Sequence, residues 1–285
     1  MKIRALVLAV IIASGASISF AFGDPLEDKE AGITASQRGD YDAALRFFTR
    51  GLASAAPVSD DRADLLVMRG FAYEQMAQYA RAIDDYGDVI NLKPDAVQVY
   101  FRRGVAYREN GQYDRSLADL DVVFGSRSHP PPNFPFLFGE RGIVNFALGR
   151  FADAAQDFAK VLALDATDQY AALWLYVARR RVAEQDTYEL ARVAARARAD
   201  QWPRPLLLLY LGNATHTQVL AAASEGDGDA REDQRCETAF FVGEYELLRG
   251  GEDAARKLLH EAADTCPASL SIHAGAASEL KRIGG

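Results

Sequence analysis

The side chains able to do chemistry are few and scattered. Four histidines stand at His129, His216, His260 and His273, none paired at metal-ligand spacing. Cys236 and Cys266 lack a C-x-x-C arrangement, and no H-E-x-x-H, G-x-S-x-G or phosphate-cradling G-x-x-x-x-G-K run occurs. The run Glu225-Gly226-Asp227-Gly228-Asp229 has an acidic spacing that hints at calcium, but the later residues of a metal loop are missing, and a flexible linker is expected. Every other carboxylate falls in a helix pattern or turn that explains it. No catalytic residue, metal or cofactor is therefore expected; the chain should bind rather than react.

Charge narrows the partners. A net charge of −8 argues against nucleic acid, which favours a basic face. The basic stretch Arg179-Arg180-Arg181, with Arg192, Arg196 and Arg198, sits among Glu184, Asp186 and Glu189 and reads as a solvated helix surface.

The elements that carry these residues repeat. Gly70 and Gly104, Tyr73 and Tyr107, and Tyr79 and Tyr113 are each 34 residues apart. With Gly104 at place 8 of a 34-residue unit, small residues fall at 8 and 20, aromatics at 4, 11 and 17, and Leu120 at 24, where other units carry Phe48, Tyr86 and Phe158. Small residues there let two helices approach, and the aromatics fill the gaps between ridges. Gly32, Gly70, Gly104, Gly142 and Gly243 each open a matching unit at place 8. Two junctions are four residues longer, at Pro57-Val58-Ser59-Asp60 and His129-Pro130-Pro131-Pro132-Asn133. This is the tetratricopeptide pattern, and it predicts an all-α array of helical hairpins stacked as a right-handed solenoid.

Residues 25–166 should hold four units, 167–231 a divergent helical region and linker, and 232–285 a last unit with a capping helix over about 269–281. In the divergent region Tyr170–Arg181 and Tyr188–Ala199 still read as helices, but Tyr176 occupies place 8. The repeat also brings the cysteines together: Cys236 falls at place 1 and Cys266 at place 31, at the same end of an antiparallel hairpin. A disulfide is expected there, in keeping with an exported chain; two buried free thiols are the alternative.

Binding follows from the same geometry. Places 2, 5, 9 and 12 of the first helices face a common groove, giving Val67, Phe71, Phe101, Val105, Arg108, Ile143 and Phe146 as its apolar-rich lining. Either a partner's segment docks there or the chain's own C-terminal helices fill it. A clamp for a terminal carboxylate would need Lys and Asn residues at places that here hold Lys29, Ile33, Met68, Gln98 and Arg102; two of five match, and none is expected.

At the N-terminus, Lys2 and Arg4 precede an apolar run from Ala5 to about Ile18, then Ser19-Phe20-Ala21. That layout predicts a signal peptide over residues 1–21, cleaved after Ala21, with an uncleaved anchor as the alternative. No cysteine adjoins the site to carry a lipid, and no membrane span is expected after cleavage.

A more specific resemblance lies in the divergent part. Leu173-Trp174-Leu175-Tyr176-Val177-Ala178, Gln201-Trp202, Tyr210-Leu211-Gly212-Asn213 and Phe241-Val242-Gly243-Glu244-Tyr245 resemble, in order and approximate spacing, the NlpI-type lipoproteins of the bacterial envelope. The resemblance covers nearly the whole mature chain. It implies a periplasmic, non-catalytic, homodimeric adaptor that delivers murein endopeptidases to a C-terminal-processing protease and scaffolds other peptidoglycan enzymes. The chain departs from that family in lacking the lipidation cysteine. The alternative is a general scaffold for envelope assembly or secretion with an unrelated client.

Overall fold

A computed structural model describes residues 24–126, 135–225 and 228–284. The signal segment, the turn at 129–133 and part of the acidic run lie outside the described residues. Among those described the structure is all helix, with no strand: α1 Pro25–Gln37, α2 Tyr41–Ser54, α3 Asp60–Gln75, α4 Tyr79–Leu92, α5 Val97–Glu109, α6 Tyr113–Gly125, α7 Pro135–Ala147, α8 Phe151–Leu164, α9 Gln169–Arg181, α10 Tyr188–Arg196, α11 Arg204–Tyr210, α12 His216–Ala223, α13 Gly228–Leu248, α14 Glu252–Thr265 and α15 Ser271–Arg282. Side chains start several of them: Asp24, Asp40, Ser59 and Asp168 accept from backbone N–H groups in the first turns of α1, α2, α3 and α9, and Thr215 with Gln218 forms a capping box on α12.

The helices pair as hairpins, and each hairpin turns in the same way. One residue with positive φ ends each first helix: Gly39, Ala77, Gly111, Gly149, Ala183, Gly212 and Gly250. The next N–H reaches back five residues to close the turn, as in Gln78 to the Tyr73 carbonyl and Gln112 to the Tyr107 carbonyl, both at 2.8 Å. Glu184 and Asn213 make the same bond to Arg179 and Leu208. So the region expected to be divergent still turns as two hairpins, α9–α10 and α11–α12. Its second helices are short and its first helices lack the small residue that draws a hairpin tight.

That small residue acts by proximity. A Cβ on Gly70 would lie 2.7 Å from the Tyr86 ring, and one on Gly142 would lie 2.9 Å from Phe158. The fully buried rings of Tyr86 and Phe158 occupy the space that glycine leaves. A second repeated device ties the hairpins together. Arg69–Asp85, Arg103–Asp119 and Arg141–Asp157 each join first to second helix through a two-point guanidinium–carboxylate contact of 2.7–3.1 Å.

Packing divides at one seam. One core runs from α1 to α5 around Phe48, Leu65, Leu66 and Tyr86, and a larger one runs from α7 to α15 around Phe146, Trp174, Phe240 and Phe241. Only a small cluster of Leu117, Leu120 and Val144 lies between them. The last hairpin and α15 return to the fourth: α15 packs on α7 as well as on α13 and α14. Helix α13 begins at Gly228, so the expected linker is already helical at Gly228 and Asp229.

Candidate functional site

The first helices carry the exposed apolar face of the array. Because α5 follows α3 at one repeat, their equivalent places line up, and half-buried Phe71 and Phe101 face a common space. A cavity of about 500 Å³ opens there between α3, α5 and the α14–α15 loop, whose Pro267, Ala268 and Ser269 form its far wall. A second cavity, of about 440 Å³, continues toward α1 past Val67 and Ile33. The two share Phe71 and Arg102, so together they make one groove.

The groove is apolar with a charged end. Val105 and Phe101 line the first cavity, and Phe101 meets Phe136 edge-on at 5.4 Å. The Arg102 guanidinium stands 5.3 Å from the Phe71 ring centre and 3.6 Å from the Glu74 carboxylate. Glu109 lies beside it, and burial pushes its carboxyl up to about 7. Burial also holds the Glu74 carboxyl above its usual range.

Of the lining expected from sequence, Val67, Phe71, Phe101 and Val105 border these cavities, while Arg108, Ile143 and Phe146 do not. Phe146 is fully buried and Ile143 is 7% exposed. The cause is α15, which occupies the fourth unit's share of the groove. Arg282 donates to the Phe146 and Ala147 carbonyls at 2.6 Å each, and the Phe146 ring packs 5.0 Å from Trp174. Arg108 is turned inward to Glu140 at 2.9 Å and donates to the Ala268 carbonyl at 3.3 Å. The chain's own C-terminus thus fills one half of the groove and leaves the other open.

Lys29 is engaged by Asp64 at 3.0 Å, leaving Arg102 as the cation that faces the groove. Sequence reasoning passed over Ala77, Glu109 and the 267–269 loop, because only the loop's return makes them part of a wall.

A buried ionic cluster secures that return. Arg181 of α9 donates to Glu244 of α13 at 2.8 Å and to Glu279 of α15 at 2.7 Å, and Arg282 also contacts Glu279. Both carboxylates are fully buried. Burial and the neighbouring Glu279 raise the Glu244 carboxyl above its usual range. At the far end of the last hairpin, Cys236 and Cys266 lie at disulfide distance, with Sγ atoms 2.17 Å and Cα atoms 5.7 Å apart. Among the described residues no three His, Cys, Asp or Glu side chains are grouped to hold a metal, and no helix is long and apolar enough to cross a membrane.

Residues 63–96, which take in most of α3, all of α4 and the turn after it, match the tetratricopeptide repeat family. The fold is a tetratricopeptide array. Solved structures agree with it across most of the chain. A tetratricopeptide repeat protein from Parabacteroides merdae ATCC 43184 is similar with a TM-score of 0.59, 14% identity, 89% of this chain covered and 98% of that one. MamA from Desulfovibrio magneticus RS-1 gives 0.55 at 18% identity, covering 61% of this chain and 96% of its own. YrrB, described as a tetratricopeptide protein with an unusual peptide-binding site, gives 0.55 at 16% identity over 66% of this chain and 92% of its own. These likenesses are of fold. Tetratricopeptide arrays are generally non-catalytic scaffolds that bind proteins, and this array keeps an open face of the kind such binding uses.

Proposed function

We propose that the chain is a periplasmic, non-catalytic adaptor that docks protein segments in the groove across α1, α3 and α5. The observation that carries this reading is the pair of adjoining cavities around Phe71 and Arg102, apolar in the middle and charged at one end. Such a surface suits an extended or helical peptide, which fills apolar pockets and meets a few polar anchors. The peptide-binding site for which YrrB is described supports the same use of an array. The resemblance to NlpI-type lipoproteins supplies the client class: murein endopeptidases and a C-terminal-processing protease, presented by a homodimer. Export would rest on cleavage after Ala21, and without an adjacent cysteine the mature protein would be free of a lipid anchor.

Crosslinking in envelope extract, followed by mass spectrometry, tests the assignment with wild type beside Phe71→Ala/Phe101→Ala. Recovery of an endopeptidase or processing protease by wild type, reduced at least fivefold in the variant, is the expected result. Recovery of secretion or assembly components alone would favour a general scaffold. Light scattering at tens of micromolar tests the dimer, and N-terminal sequencing of the mature protein tests the cleavage site.

A further inference from the structure

We infer that the groove takes a cationic side chain of its partner, a Lys or Arg flanked by apolar residues, against Glu109. This inference rests on the reading that the groove docks a protein segment. It starts from a count of charges around the larger cavity. Glu74 of α3 and Arg102 and Glu109 of α5 line it, and behind them Arg108 of α5 meets Glu140 of α7. The loop from α14 to α15 adds Pro267, Ala268 and Ser269 and no charge, and α4 adds the Tyr79 phenol. Behind Arg108, burial holds the α15 imidazole of His273 below its ordinary pKa, and so toward the neutral form.

Three carboxylates therefore face two guanidiniums, and the pairs sort themselves by distance. Arg108 is held by Glu140 at 2.9 Å and by the Ala268 carbonyl, and Arg102 lies 3.6 Å from Glu74. Glu109 has only a share of Arg108, which also serves Glu140. Its side chain is 10% exposed, and its nearest cation is Arg108 at 3.5 Å, already committed elsewhere. A buried carboxylate without a counterion of its own is costly, and a cation delivered from outside removes that cost. Burial opposes ionisation of Glu109, Arg108 favours it, and the charges of Glu74 and Glu140 oppose it again, so the one shared guanidinium does not offset the rest.

The rest of the cavity says what must surround the cation. Phe71, Phe101 and Val105 offer apolar wall on either side, so apolar residues should flank it. An acidic segment would find only the exposed edge of Arg102 and would add a further negative charge beside Glu109. The chain's net charge of −8 also draws basic rather than acidic segments toward it.

The test is selection of random dodecapeptides displayed on phage, at pH 8, by the full chain with its disulfide intact. Wild type, Phe71→Ala and Glu109→Gln are compared, with circular dichroism checking their fold. Peptides selected by wild type should be enriched in Lys or Arg next to Leu, Phe or Tyr. A synthetic copy of the most enriched peptide should bind wild type about tenfold more tightly than its Gln-for-Lys or Gln-for-Arg twin, and Glu109→Gln should level the two. Binding of that peptide to wild type should strengthen from pH 6 to pH 8, by up to about tenfold, as Glu109 ionises; this measurement needs no variant. Selected peptides without a cationic preference, an acidic preference, or a preference that survives Glu109→Gln would overturn the inference while leaving the groove in place. Peptides that bind Phe71→Ala as well as wild type would overturn the groove itself, and a selection that enriches nothing would overturn both.

Discussion

Ala77 turns the second hairpin at φ 54°, a conformation that five of the seven hairpins reach with glycine. An L-residue held there costs about 1–2 kcal/mol, against about 0.4–1 kcal/mol of extra unfolded-chain entropy for glycine. Ala77→Gly should therefore stabilise the protein by about 0.5–1 kcal/mol, seen as a higher thermal midpoint. A second residue-scale expectation concerns acid. Glu109 has a folded pKa of about 7, raised above the unfolded carboxyl value, so the folded chain holds more protons in between. Its contribution is favourable below the unfolded pKa and is lost as pH rises through 7. The raised carboxyls of Glu74, Asp85, Asp168, Glu237 and Glu244 act in the same direction, while half-buried His273 acts oppositely, costing stability as pH falls through its ordinary value. The clean measurement is thus a difference: Glu109→Gln should melt close to wild type at pH 5 and above it at pH 8, by about 2–4 °C for each kcal/mol gained. A gap that does not change with pH would contradict this. At this scale the sequence was partly legible. Small residues at place 8 follow from steric need, whereas the Asp sixteen residues after each of Arg69, Arg103 and Arg141 was passed over until the structure paired them. Glu109 could not be read, because its burial depends on a loop 160 residues away.

At the scale of elements, the hairpins were readable because each is a local event, with a period, a turn and a tight contact within about 30 residues. The destination of α15 was not. It depends on rotation accumulated through α9 to α12, whose short helices break the regular step. The expectation of a terminal cap described its contact with the last hairpin, while the filling of the groove by C-terminal helices stood only as one of two alternatives that the spacing could not decide between. Gly275 marks how closely α15 packs on α13 and α9: a Cβ there would lie 2.7 Å from the Phe240 ring and 2.9 Å from Trp174. Gly275→Leu should displace α15 and cost about 1–3 kcal/mol by overpacking. Because α15 covers Phe146 and Ile143, the same variant should bind a hydrophobic dye more strongly in its native state. Melting and dye fluorescence like those of wild type would mean that α15 can rearrange freely.

For the whole molecule, the Cys236–Cys266 link closes a loop of about 30 residues, and the chain-entropy account assigns it roughly 3.5 kcal/mol as an upper figure. Reduction should lower the thermal midpoint and should act on the C-terminal part first, since that hairpin carries the groove's far wall. Hydrogen exchange after reduction should rise in α13 to α15 before it rises in α3 and α4. Equal loss of protection throughout would show the two cores to be one cooperative body.

The return of α15 to α7 also changes what kind of statistical object the array is. An open stack of repeats behaves as a line of neighbours, each coupled only to the next, so order can spread or fray from either end. Tying the fourth hairpin to the last element turns the second half of that line into a ring. A ring has no free end from which to fray; opening it anywhere sacrifices a bond between distant members. The N-terminal hairpins remain a line, attached to the ring at the sparse seam between α6 and α7 and by the contacts of Arg108 with Glu140 and the Ala268 carbonyl. Fluctuation should therefore be graded along α1 to α6 and all-or-none beyond, so that the groove is shaped by a compliant strip held against a stiff frame.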